Sequence, residues 1–232
     1  MELNTYPLVC TRGVVLYPNQ EIVIDVGRGA SVHAVENAQD NYDKKICLFS
    51  QKELEQENPG KEDIYPVGTL CEVRHIRRFD NFLRVKFRGI KRVKLNNWIN
   101  GSLSDLAEVE ILESEKQDAV EEEALIRMIA DELDRMQGQD RFVTKEIVME
   151  ISKGMGGEFL SDKAVQGLPL DIERKQQYLE TLGVNDRLMM LLQDMAKEKK
   201  MSEVEKQINE TVKERIDQGQ KDYYLREKMN VI

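Results

Sequence analysis

The spacing of the apolar residues changes near Ser114, and this change constrains the fold most. From Tyr6 to about Leu112 the apolar residues form short, β-branched runs separated by turn residues. After Ser114 they recur every three to four residues. Runs of the first kind are typical of strands, and the second spacing is typical of helices. The sequence therefore predicts an α+β chain in which the strands come first and the helices follow.

Six segments of the first part predict strands, and residues 1–113 are expected to form a mostly antiparallel β lobe. The segments are PLVC, EIVIDV, KKICLFS, GTLCEVRHI, FLRVKFRGIKRVKL and LAEVEIL. Asp80-Asn81 lies between the fourth and fifth segments and is the expected tip of a hairpin.

One short helix is expected inside the β lobe. Gly27-Arg28-Gly29 predicts a turn after the second strand, and Ser31 is placed to cap a helix over SVHAVENAQ. Val32, Val35 and Ala38 share one face of that helix.

Residues 114–185 predict a helical lobe. A first helix runs from about Ala119 and ends at Gly138, and a second begins at Asp140 or Thr144. A short helix over FLSDKAVQ follows, and the next helix is expected to have Pro169 and Asp171 in its first turn.

Residues 186–232 predict one long helix, because they contain no proline and only one glycine, Gly219. At 1.5 Å per residue such a helix is roughly 70 Å long. Its first apolar positions, Leu188 to Met195, are expected to pack on the helical lobe. The apolar stripe of its protruding part is a candidate assembly surface for a homo-oligomer. The stripe consists of Val204, Ile208, Val212, Ile216 and Tyr223. The final segment YYLREKMNVI carries no helix-ending signal, so we expect the chain to be a piece of a longer protein.

Composition excludes several classes of function. The net charge of −9 does not favour nonspecific binding to nucleic acid or anionic lipid. No apolar run approaches the roughly 20 residues that span a bilayer, so we expect no membrane contact. Three separated cysteines, Cys10, Cys47 and Cys71, are expected to be buried free thiols in a reducing cytoplasm. Two histidines do not suffice for a histidine-based metal site or a catalytic triad.

Motifs that carry catalytic or cofactor chemistry are missing from the sequence. GMGGEF lacks the Lys and Ser/Thr of a phosphate-binding loop and is interpreted as a helix-ending loop. Gly27-Arg28-Gly29 is a poor dinucleotide turn, because Val32 occupies the place of the third glycine. Glu121 to Glu123 suit the start of a helix better than a metal site. We therefore expect no catalytic residue, cofactor or metal in this chain.

A basic stretch with aromatic residues, Arg74 to Lys94, is the strongest binding signal derived from the residues alone. Arg84, Lys86 and Arg88 lie on one face of a predicted strand and could contact a polyanion such as RNA or single-stranded DNA. Phe79 and Phe82 flank the hairpin tip. They could stay exposed as an apolar contact for an unfolded chain, or they could close on each other.

Two groups of segments resemble the Lon family of ATP-dependent proteases. PLVCTRGVVLYPNQEIVIDVGRGASVHAVENA, DIYPVGTLCEV and VKFRGIKRVKL are similar to its N-terminal domain. LPLDIERKQQYLETLGVNDRLMMLLQDMAKE and VKERIDQGQKDYYLREKM are similar to the helices that lead into its AAA+ ATPase module. Arg12-Gly13 departs from the Arg-Asp of many members, and Cys10 stands at a position that is commonly apolar.

The resemblance implies a PUA-like pseudo-barrel, followed by a helical lobe that couples to a hexameric motor. It implies recognition of unfolded or damaged proteins, with ATP and magnesium bound only in an ATPase module outside this chain. Tyr17, Pro18 and Met155 join Phe79 and Phe82 as candidate client contacts, where a client is an unfolded polypeptide substrate. The alternatives are a nucleic-acid-binding module that uses the basic stretch and a structural spacer that binds neither ligand.

Overall fold

A computed structural model describes residues 4–136 and 145–230 of the chain. The β lobe contains β1 (Asn4–Thr11), β2 (Glu21–Val26), α1 (Gly29–Asn41), β3 (Lys45–Ser50), β4 (Val67–Arg78), β5 (Leu83–Ile99) and β6 (Leu106–Leu112). The helices that follow are α2 (Ala119–Met136), α3 (Lys145–Ser152), α4 (Gly157–Gly167), α5 (Ile172–Glu180) and α6 (Val184–Asn230). All six predicted strands are confirmed, and the α+β class is confirmed with them.

The six strands form one sheet that closes into a pseudo-barrel. Their order is β2-β5-β4-β3-β1-β6, and β6 also pairs with β5. The first half of the 17-residue β5 pairs with β2, and its second half pairs with β6. All pairings are antiparallel except that of β1 with β3. The long strand β5 therefore closes the barrel.

Both faces of the central strands are buried, which explains their continuous apolar runs. Leu48 and Cys71 face the core beneath α1, whereas the adjacent residues Cys47 and Leu70 face a second core. Successive side chains on a strand point to opposite faces, so a strand buried on both faces has no polar alternation. The run KICLFS of β3 is such a strand.

The predicted helix is confirmed as α1, which packs on the sheet through Val35 and Ala38, but it begins earlier than expected. Its N-cap residue is Arg28, which makes no side-chain capping hydrogen bond. The prediction that Ser31 caps the helix is wrong, because Ser31 lies within the first turn and is buried. The predicted hairpin tip is confirmed: the Phe79 N–H donates to the Phe82 carbonyl (2.9 Å) across Asp80-Asn81.

The helical lobe has a core of its own, to which residues from α2, α4, α5 and α6 contribute. The short helix predicted over FLSDKAVQ is confirmed as α4. Asp171 is the N-cap of α5 and accepts a hydrogen bond from the Arg174 N–H (2.7 Å). The expectation that Pro169 and Asp171 form the first turn is therefore wrong by one to three residues. Gly138, Asp140 and Thr144, which were expected to end α2 and begin α3, lie outside the described residues.

Helix α6 is 47 residues long and has two parts. Leu188, Leu191 and Met195 are buried in the core of the helical lobe. Residues 203–220 are exposed throughout, so this part of the helix protrudes from the lobe. No helix in the described ranges is long and apolar enough to cross a membrane.

The two lobes are joined by specific buried contacts. The Tyr17 hydroxyl donates to the Lys175 carbonyl (2.7 Å), and the Gln176 side-chain amide donates to the Val67 carbonyl (2.7 Å). Val15, Tyr17 and Val67 belong to the core of the helical lobe. The β lobe therefore contributes its own residues to the helical core.

Candidate functional site

The LYPN turn that supplies Tyr17 and Pro18 is not a surface turn. Tyr17 is fully buried, and Pro18 is buried beside it. Their role as client contacts is therefore corrected, since neither residue has a surface that a client could contact. The turn is covered because the helical lobe packs over it, and the phenol of Tyr17 bonds to α5.

The hairpin tip between β4 and β5 carries an aromatic cluster, which consists of Phe79 and Phe82. Their rings are stacked, with centroids 4.7 Å apart and planes inclined by 14°. The Arg84 guanidinium lies 5.3 Å from the Phe79 ring centroid and 5.7 Å from that of Phe82, and Arg77 lies 5.1 Å from Phe79. Both rings remain partly exposed. The tip is therefore closed on itself but still presents an apolar edge flanked by cations.

Methionine side chains form much of the exposed apolar surface of the helical lobe. Met155 itself is partly buried and packs against the helical core. Met128, Met189 and Met201 are exposed on α2 and α6, and Met149 is exposed on α3. None of these four residues was predicted as a contact from the sequence, although the chain has ten methionines. Unbranched, polarizable methionines suit surfaces that contact varied partners.

A cavity of about 480 Å³ lies where α2 meets α6. Its apolar lining is Met128, Leu192 and Ala196. At its edge the Lys199 ammonium donates to the Glu132 carboxylate (2.8 Å), and this hydrogen bond lowers the pKa of Glu132. The cavity thus combines an adaptable apolar wall with a charged rim.

Carboxylates neutralise part of the basic strand face. Asp25 lies opposite Arg84 in the β2–β5 register and accepts two hydrogen bonds from its guanidinium, both of 2.7 Å. Glu21 pairs with Lys86 (2.7 Å). These contacts lower the pKa of both carboxyl groups, so both are ionised at neutral pH. Arg88 is exposed. The face therefore carries less net positive charge than its sequence indicates.

The predicted assembly stripe lies on the protruding part of α6. Val204, Ile208, Val212 and Ile216 are 42–56% exposed. The backbone of Tyr223 lies in α6, but its side chain is outside the part that the structure describes. Each of the four described residues follows the previous one by four positions, so they form one continuous ridge on the helix.

The cysteines show no sign of reactive chemistry. Cys47 and Cys71 are buried free thiols, whereas Cys10 is only partly buried, which corrects its predicted full burial. Desolvation raises the pKa of the Cys10 thiol to about 12 and raises that of Cys71 as well. Within residues 4–136 and 145–230, no group of His, Cys, Asp and Glu side chains could hold a metal ion.

The chain is an α+β protein in which a β pseudo-barrel is joined to a helical lobe. Comparisons with known proteins identify its family. The family model of the "ATP-dependent protease La (LON) substrate-binding domain" matches residues 5–197. The chain belongs to this family, the N-terminal domains of Lon proteases.

Relatives and solved structures agree with this family. The Lon protease of Syntrophomonas wolfei is 34% identical over 235 residues, which cover 100% of this chain and 29% of the relative. The Lon protease of Escherichia coli K12 is 31% identical over 227 residues, which cover 97% of this chain and again 29% of the relative. The chain thus spans less than one third of the length of these relatives.

The fold matches that of a solved Lon domain. The N-terminal domain of the Mycobacterium avium complex Lon protease superposes with a TM-score of 0.67 at 17% identity, covering 83% of this chain and 98% of that one. The Lon N-terminal domain protein from Xanthomonas campestris gives a TM-score of 0.58 at 16% identity, covering 82% of this chain and 97% of that one.

Proposed function

We propose that this chain binds unfolded or damaged polypeptides and delivers them to a protease and ATPase that lie outside it. The observation that carries this proposal is the match of the substrate-binding family model to residues 5–197. The described surfaces are compatible with such a role, because they are apolar, small and separate rather than one deep pocket. Weak, sequence-tolerant contacts suit clients that share no sequence motif.

Two surfaces are proposed as client contacts. The first is the aromatic cluster, Phe79 and Phe82, at the hairpin tip. The second is the cavity between α2 and α6, whose apolar wall consists of Met128, Leu192 and Ala196. Met155 contributes less to such a contact, since it is partly buried against the helical core. Both surfaces combine apolar groups with charged neighbours. The apolar groups can contact the side chains of a client while its polar backbone stays hydrated beside the charged groups.

We further propose that the ridge on α6 supports assembly of a homo-oligomer, which is a hexamer in the family that the sequence resembles. Several copies on one ring raise the apparent affinity for a long unfolded chain through effective concentration. ATP and magnesium would act in the ATPase module and not in this chain. The reduced cysteines fit a cytoplasmic location.

The nucleic-acid alternative is less favoured by the charges. Two of the three candidate contacts, Arg84 and Lys86, are engaged by carboxylates, and the chain carries a net charge of −9. Phosphate binding would have to break these ion pairs or depend on Arg88.

Replacing both aromatic residues tests the proposed hairpin contact. The double variant Phe79→Ser/Phe82→Ser lacks the apolar edge. We expect its affinity for a permanently unfolded polypeptide to fall about tenfold, because the loss of one well-packed apolar contact has an effect of that size. Leu103→Ser is the matched control, because Leu103 is an exposed apolar residue on the loop between β5 and β6. Equal affinities of the double variant and the control would reject the hairpin contact, provided that thermal melts show both variants folded.

A further inference from the structure

Two adjacent cavities meet at the start of α1. The first, of about 340 Å³, is bounded by β1, β2 and the Gly27-Arg28 turn. The second, of about 230 Å³, lies against the first turn of α1 and Trp98. Cys10, Arg28 and Ser31 line both cavities. Neither cavity belongs to the client-contact surfaces described above.

The first cavity has two guanidinium groups without an ion-pair partner in the described part of the chain. Arg28 donates to the side-chain oxygen of Gln51 (2.6 Å) and to the Gln56 carbonyl (3.5 Å). Arg12 donates to the same Gln56 carbonyl (3.3 Å). All of these acceptors are uncharged. Burial and repulsion by the nearby Arg12 lower the pKa of Arg28, and attraction to the Glu57 carboxylate offsets only part of this effect. An anion between them would relieve that repulsion.

The start of α1 adds unused hydrogen-bond donors. The first N–H groups of a helix have no partner within it, and Arg28 supplies no side-chain cap. These N–H groups also carry the positive end of the helix dipole. Ser31 provides an independent observation: it is only 9% exposed, it lines both cavities, and its hydroxyl has no hydrogen-bond partner among the described residues. Because Ser31 lines both cavities, its hydroxyl is available to donate a hydrogen bond to an anion that enters them.

We propose that Arg12, Arg28, Ser31 and the N-terminal turn of α1 bind a carboxylate group of a polypeptide. This inference rests on the proposed function, since it assigns the chemistry of one client group. The carboxylate comes either from the C-terminus of the client or from an Asp or Glu side chain. The N–H groups of the helix and the two guanidiniums bind its oxygens, and Val9, Ile24 and Val26 contact the aliphatic part.

A carboxylate fits the surrounding charges better than a phosphate does. Asp25 also lines the first cavity, and its carboxylate accepts a hydrogen bond from Arg84. Glu57 and Asp105 line the second cavity. These three acidic groups repel a doubly charged phosphate more strongly than a singly charged carboxylate. The raised pKa of Cys10 keeps its thiol neutral, so the thiol adds no further negative charge.

The test is a titration of the ¹⁵N-labelled chain followed through its amide resonances. The ligands are a short apolar peptide with a free C-terminus, the same peptide with a C-terminal amide, the amidated peptide with one added Asp, and inorganic phosphate. We expect the amide signals of Gly29, Ala30 and Ser31 to shift with the free C-terminus, with the Asp peptide, or with both. The responding peptide identifies the source of the carboxylate. A response to phosphate alone, or to no ligand, would overturn the proposal.

Three variants and one control sharpen the test. Gly29→Glu places a carboxylate in the first turn of α1, where a new side chain meets open space. It stabilises the helix, so a loss of peptide binding of about tenfold or more cannot be attributed to unfolding. Arg28→Gln is expected to weaken binding by a similar factor, and Ser31→Ala by a smaller one. Arg215→Gln removes an exposed arginine of α6 and should change nothing.

The same variants separate this proposal from the proposed function. If Gly29→Glu binds the carboxylate peptide like the unchanged chain, the site is rejected even where unfolded clients still bind. If the peptide binds at α1 but no unfolded polypeptide binds the chain, the carboxylate site stands and the proposed client function fails.

Discussion

Arg92 on β5 and Asp162 on α4 form a buried ion pair across the junction of the two lobes. The Arg92 guanidinium donates to both carboxylate oxygens, at 2.5 and 3.0 Å, and the two side chains are 1% and 3% exposed. A third hydrogen bond runs from Arg92 to the Leu179 carbonyl at 3.1 Å. One strand residue thereby fixes both α4 and the end of α5 against the barrel.

Removing one partner of this pair should be strongly destabilising. Arg92→Met leaves Asp162 buried with only Arg187 as a more distant cation (3.8 Å), and we expect a loss of about 3–5 kcal/mol in the free energy of unfolding. Urea denaturation measures it. Arg127→Met, in an exposed pair with Glu123, is the matched control and should cost less than about 1 kcal/mol. Similar losses in the two variants would show that the lobes do not depend on this ion pair.

Gly89 of β5 has no room for a side chain. A Cβ at this position would lie 2.2 Å from the Tyr17 carbonyl oxygen, because the LYPN turn crosses directly over the strand. Gly89→Ala is expected to lower the free energy of unfolding by about 1–3 kcal/mol. Gly219→Ala, in the exposed part of α6 with open space around it, should instead strengthen the helix by up to about 1 kcal/mol. Thermal melts followed by circular dichroism compare the two, and a neutral Gly89→Ala would contradict the close packing.

The pair of Glu132 and Lys199 predicts a pH-dependent contribution that links α2 to α6. The hydrogen bond from Lys199 lowers the pKa of Glu132 below its ordinary value of 4.5. A carboxyl group whose pKa is lowered by folding stabilises the protein above its unfolded pKa, and this stabilisation disappears as the pH falls through the folded pKa. Glu132→Gln should therefore cost about 0.5–1 kcal/mol at pH 7 and less at pH 3, where the carboxyl group is increasingly protonated. Urea denaturation at both values measures the difference. A constant difference would refute the assignment.

The ridge on α6 predicts self-association. Ile208→Lys/Val212→Lys removes the centre of the ridge, and we expect any oligomer to dissociate, with a loss of about 3–6 kcal/mol of association free energy. Gln207→Lys/Thr211→Lys adds the same charge at neighbouring exposed positions and should have little effect. Sedimentation velocity across a range of concentrations distinguishes the variants. A sedimentation coefficient independent of concentration for the unchanged chain would reject assembly through this ridge.

The fold was predictable from the sequence because its signals are local. β-branched runs such as EIVIDV identify strands, and Asp80-Asn81 identifies its hairpin, without any information from distant residues. Ser31 shows the limit of such rules. Serine favours the N-cap, but the N-cap of α1 is Arg28, three residues earlier, so Ser31 lies in the first turn and lines a cavity.

The candidate site was less predictable because burial depends on residues far apart in the chain. The LYPN turn has the composition of an exposed turn, yet Tyr17 is covered by a contact with a residue 158 positions away. Similarly, Asp25 and Glu21 of β2 neutralise part of the charge on the basic face of β5. The pairing of β2 with β5 that brings them there is not visible in the local sequence pattern. The aromatic cluster was identified because both of its members flank one hairpin.

The central claim is tested most directly by fluorescence anisotropy of a labelled, permanently unfolded polypeptide titrated with this chain at low and high salt. A folded protein and a single-stranded DNA serve as controls. We predict binding of the unfolded polypeptide alone, with an affinity that changes little between the two salt concentrations, since apolar contacts are not screened. Binding of DNA alone, abolished by salt, would contradict the account and assign the basic face of β5 as the site.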